Sequence, residues 1–80
     1  MKQSPDNRSR AQQAKRALCA AYGRLDVRVE PESAVIDALT DLRHFCDAKG
    51  LDFGNLDRIA HGHYLAELEE ARNGDEARQA

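Results

Sequence analysis

Apolar residues recur every three or four positions over much of the chain, the period that gives a helix one apolar side. The clearest run opens at Pro31, whose fixed backbone angle suits a first helical turn. It carries Val35, Leu39, Leu42 and Cys46, with Ile36, Ala38 and Phe45 beside them. Glu32 lies where the positive end of a helix favours an acid, and Gly50 stands where a helix stops, so the pattern predicts a helix over 31–49. After the turn Gly50-Leu51-Asp52, with Asp52 as a cap, comes a second stripe of Phe53, Leu56, Ala60, Tyr64, Leu68 and Ala71, flanked by Ile59 and His63. This predicts a helix over 53–73 that ends at Asn73-Gly74.

The earlier part of the chain is patterned less strongly. Ser9 is a candidate cap for a helix over 9–22, whose shallow stripe is Ala11, Ala14, Leu18, Ala21 and Tyr22 and whose stop is Gly23. Leu25, Val27 and Val29 then alternate with charged residues. A period of two predicts an extended segment over 25–29, a linker or an edge strand. The fold class expected is all-α: a helical hairpin (31–49 and 53–73) with a weaker N-terminal helix and one short extended segment. Residues 1–8 are expected as a flexible tail, 9–74 as a single small domain and 75–80 as a frayed C-terminus.

Composition sharpens this picture. Hydrophobic residues make up 41% of the chain, yet aromatics are only 5% and Trp is absent, so the core must be built from Leu, Ile, Val and Ala. A chain of 80 residues buries only about 60% of the surface its unfolded form exposes. A partner protein or a second copy, giving a homodimer, is therefore expected. No stretch reaches the roughly 18 apolar residues of a membrane span. The opening Met1-Lys2-Gln3-Ser4-Pro5 lacks the apolar run of a signal peptide, so a cytoplasmic setting is expected, with Cys19 and Cys46 as reduced, small apolar core residues.

The net charge of −2 hides a division. Residues 1–30 carry seven basic and three acidic side chains, a balance of +4, and residues 31–80 carry five basic and eleven acidic, a balance of −6. Asp37, Asp41, Asp47, Asp52 and Asp57 are the candidate acidic face, expected to engage another protein through a basic, nucleic-acid-binding surface.

Catalytic patterns are missing. No nucleophile with a base, phosphate-binding glycine loop or paired-carboxylate motif stands at a diagnostic spacing, so the chain is expected not to be an enzyme and to need no cofactor. His44 with Cys46, and His61 with His63, are two apart; on a helix such residues point about 200° away from each other, so no metal site is expected from either pair.

Two resemblances add to these expectations. Cys46, Gly50, Leu51, Leu56 and Ile59 have the spacing of a helix-turn-helix, and residues 42–64 resemble the turn and recognition helix of small repressors. That resemblance implies a dimeric DNA-binding regulator, with Asn55, Arg58 and His61 facing base edges and Arg10, Lys15 and Arg16 meeting phosphates. Asp52, Asp57 and Lys49 depart from the repressor pattern. Separately, Leu39-Thr40-Asp41-Leu42-Arg43-His44, Gly50-Leu51-Asp52-Phe53, His63-Tyr64 and Glu67 resemble short proteins of phages, plasmids and proteobacterial genomes. This mobile-element class includes anti-CRISPR inhibitors, and it implies a non-enzymatic accessory protein that inhibits a host defence complex of the CRISPR-Cas type.

Overall fold

The computed structural model describes the chain from Asp6 to Gln79, with side chains as far as Gly74. Four helices follow one another: α1 (Asn7–Tyr22), α2 (Arg24–Val29), α3 (Pro31–Lys49) and α4 (Phe53–Gln79). The fold is all-α, with no strand among the described residues.

Each helix end has a local cause. Asp6, not Ser9, caps α1: its carboxylate accepts the Ser9 N–H at 2.8 Å, so the helix starts two residues before the expected boundary and takes in Asn7 and Arg8 from the expected tail. That hydrogen bond from the backbone is the chief reason the Asp6 carboxyl is held below its usual value. Residues 1–5 of the expected tail lie outside the described residues. At the end of α3, Gly50 takes the left-handed conformation (φ 70°, ψ 28°). Its N–H bonds the Asp47 carbonyl at 3.3 Å and the Leu51 N–H bonds the Cys46 carbonyl at 2.8 Å, the paired bonds of a Schellman cap. Asp52 then accepts the Asn55 N–H at 3.2 Å and opens α4 as expected.

Two sequence expectations are corrected here. The segment 25–29 is not extended; it belongs to α2, in which the Gly23 carbonyl accepts the Val27 N–H at 3.3 Å and the Asp26 carbonyl accepts the Glu30 N–H at 2.7 Å. A lone strand would leave its backbone groups without a ladder partner, whereas a short helix satisfies them internally. The turn also half-buries Val27, on a helix packed against α1 and α3. Second, α4 does not stop at Asn73-Gly74 but runs on to Gln79. Among the glycines only Gly23 and Gly50 adopt a positive φ, so Gly74 stays helical and weakens the helix without ending it. Of the expected frayed end, only Ala80 lies outside the described residues.

A third correction concerns the core. The α3–α4 hairpin does not close on itself, because only Ala34 and Cys46 are buried among the described residues. The helices splay: the Cα radius of gyration is 15.6 Å, against about 12 Å for a compact domain of this length. A helix of 27 residues spans about 40 Å, most of the molecule's longest dimension of 47 Å.

Candidate functional site

The splayed arrangement turns the apolar stripes of α3 and α4 outward. Ile36, Leu39, Leu42 and Phe45 on α3, and Leu56, Ile59, Leu65 and Leu68 on α4, are each between 42% and 61% exposed. Leu56 and Ile59, the residues that would anchor the second helix of a repressor motif, thus remain half open. One contact ties α3 to the start of α4: the Arg43 guanidinium lies over the Phe53 ring, 4.3 Å from its centroid, a cation–π pairing that holds the first turn of α4 against α3.

The five aspartates are all exposed but have different neighbours. Asp41 accepts a hydrogen bond from the Tyr22 hydroxyl at 2.5 Å, joining α3 to the end of α1. This bond, then partial loss of hydration and then the negative charges of Asp41 and Asp37, pushes the Tyr22 phenol up to about 12. Asp37 lies one turn before Asp41 on α3. Asp52 is occupied as the α4 cap. Asp47 uses its backbone carbonyl in the α3 cap. Asp57 borders a shallow depression on α4 with Arg58, His61 and Tyr64.

The cations expected to meet DNA are also divided. Arg10 is drawn into the fold: its Nε lies 3.5 Å from a Glu67 carboxylate oxygen on α4, and one of its terminal nitrogens donates to Asn7 Oδ1 at 2.9 Å. The Asn7 amide in turn donates to the Glu67 carbonyl at 3.2 Å, so α1 and α4 are joined at this end. Arg58 donates to Asn55 Oδ1 at 2.5 Å, one turn away, and His61 stacks on Tyr64 with ring centroids 6.5 Å apart. Lys15 and Arg16 remain together on α1.

Those two residues belong to a feature missed at the sequence level. A groove of about 1100 Å³ runs between α1 and α2, with Cys19, Ala20, Leu25 and Val27 as its apolar lining and Lys15, Arg16, Arg24 and Arg28 as its charged rim. None of its lining residues is acidic. The signal was present in Arg24 and Arg28, four apart and therefore on one side of a helix; reading 25–29 as extended concealed it.

Among the described residues, no group of three or more His, Cys, Asp or Glu stands together as a metal site. No described helix is long and apolar enough to cross a membrane. The chemistry on display is that of surfaces: two open apolar helix faces, exposed aspartates and a cation-rimmed groove. No match is found among family models, curated proteins or solved structures.

Proposed function

We propose that this chain is a non-enzymatic binding protein that works by protein–protein association through the outward apolar faces of α3 and α4. The observation that carries the proposal is the exposure of the hairpin's own stripe, from Leu39 and Leu42 to Leu56 and Leu68, in a chain with two buried residues among those described. Exposed large apolar side chains recurring along two neighbouring helices support an association site. Asp37, Asp47 and Asp57 lie on the same two helices and favour a basic target. Taken with the mobile-element resemblance, the reading is of an accessory factor or inhibitor of host defence, one that would block a nuclease by covering its nucleic-acid-binding surface.

Capture of partners from nuclease-treated host lysate tests this. The expected outcome is a defined protein complex, lost with Leu42→Glu and weakened by added salt or by Asp37→Lys with Asp57→Lys. Capture indifferent to all these changes removes the basis for the proposal.

A dimeric DNA-binding regulator is the second reading, favoured by the convergence of Lys15, Arg16, Arg24 and Arg28 on one rim. Its expected signature is an affinity for duplex DNA that falls steeply with salt and loses about one unit of salt slope per cation removed. Unchanged binding, or none, across a salt titration eliminates it.

A further inference from the structure

One residue sets the angle at which the two walls of the α1–α2 groove meet. Gly23 ends α1 and opens α2 with φ 95° and ψ 148°, a conformation that side chains other than glycine's rarely allow. Its N–H donates to the Cys19 carbonyl at 2.9 Å, and its own carbonyl accepts the Val27 N–H at 3.3 Å. Both helices are thus hydrogen-bonded to the turn between them. The α1 wall runs from Gln12 to Ala20, a length of about 12 Å, or two turns of helix.

Floor and rim differ in chemistry. Cys19 and Val27 are half-buried and Leu25 is 62% exposed, so the floor is apolar and open to solvent. Lys15, Arg16, Arg24 and Arg28 are all exposed around it. Among the described residues the ion pairs are Arg10 with Glu67 and Arg72 with Glu69, and neither uses a rim cation. Asp26 shares α2 with Arg24 and Arg28 but lies two residues from each, about 200° around the helix, and it does not line the groove. Cations gathered in this way repel one another, and an anionic occupant relieves that repulsion.

The apolar floor narrows the class of anion. Duplex DNA would lay hydrated phosphates over Leu25 and Val27, which gain nothing from them. Single strands are held by bases stacked on aromatic rings, and no aromatic side chain lines this groove. An amphipathic helix with acidic flanks meets both demands, because its apolar stripe fills the floor while its carboxylates reach the rim.

We infer that the α1–α2 groove docks an acidic amphipathic helix of a partner protein, with about two turns held between the Lys15–Arg16 and Arg24–Arg28 pairs. This surface is separate from the apolar faces of α3 and α4 and adds a partner of the opposite charge to the one those faces favour.

Cys19 reports occupancy, since it lines the groove while Cys46 is buried on α3. Its alkylation by iodoacetamide is timed on the full chain, with the modified residue located by mass spectrometry. The main probe is a helical peptide of about three turns with a Leu stripe flanked by Glu. It is compared with its scrambled sequence, its Lys-for-Glu version, single-stranded and duplex oligonucleotides, and dodecanoate. The Leu–Glu peptide is expected to slow Cys19 alkylation, and the two control peptides are not. Lys15→Glu with Arg16→Glu, and Arg24→Glu with Arg28→Glu, are each expected to raise the peptide concentration needed by about tenfold at low salt. The two pairs lie on different helices, so if reversal on the short α2 unfolds it, seen as lost helical circular dichroism, the α1 pair remains the measure. No protection by the Leu–Glu peptide overturns the inference, as when the peptide sits on α3 or α4 and leaves Cys19 open. Equal protection by either control peptide, or indifference to charge reversal in the folded variants, overturns it too. Stronger protection by an oligonucleotide transfers the groove to the DNA-binding reading, and stronger protection by dodecanoate transfers it to a small anionic amphiphile; either result overturns the helix as occupant.

Discussion

At the scale of single residues, two glycines make opposite demands. Gly50 sits in the left-handed conformation with open space where a Cβ would lie, so Gly50→Ala meets only backbone strain and is expected to lower stability by about 1 kcal/mol. Gly62 lies inside α4, has no positive φ and is equally open. Gly62→Ala is therefore expected to raise stability by about 0.5–1 kcal/mol. Urea midpoints of the two variants should move in opposite directions. Tyr22 supplies a prediction in pH: its phenol, pushed up to about 12, is held neutral by the fold. A group whose folded pKa is raised contributes stability below its unfolded value, near 10, and loses that contribution as pH rises through the folded value. The contact with Asp41 should thus weaken between pH 10 and about 12, seen as a late phenolate step in ultraviolet absorbance. Tyr22→Phe should remove that step; its persistence in the variant would place the raised phenol elsewhere.

At the scale of elements, the residues of α3 announce the helix: Pro31 at its start, a stripe from Val35 to Cys46, and Gly50 with Leu51 closing it. Asp52 announces α4 in the same local way. Caps and turns depend on residues within a few positions of one another, and so are legible in a sequence. α2 was not legible. Leu25, Val27 and Val29 have the alternation of a strand, but alternation states only which side chains differ, not whether another strand is available to pair with. With helices on either side, the segment packs against α1 and α3 and closes its hydrogen bonds within one short turn. Backbone NMR shifts of residues 24–29 are expected to be helical, and extended shifts there would restore the strand. The end of α4 was misplaced for a related reason: Asn73-Gly74 is a permissive stop, and a glycine ends a helix only when the chain takes the left-handed turn that Gly50 takes and Gly74 does not.

For the whole molecule, the half-exposed stripes of α3 and α4 are what the proposed association would use. The candidate site was legible only in part: the stripes of α3 and α4 and the charges of Lys15 and Arg16 could be read, but not what they face. Of the five aspartates, Asp52 caps α4 and Asp41 accepts from Tyr22 on another helix, and the second of these contacts depends on the fold. Arg10 likewise went to Glu67, a partner 57 positions away. The sequence by itself determined the helical class, the α3 and α4 starts and the charge division, since each follows from short-range periodicity, capping and composition. Only the tertiary structure decided that the hairpin stays open, that 25–29 coils into α2 and that four cations line one groove, because these depend on which distant surfaces meet.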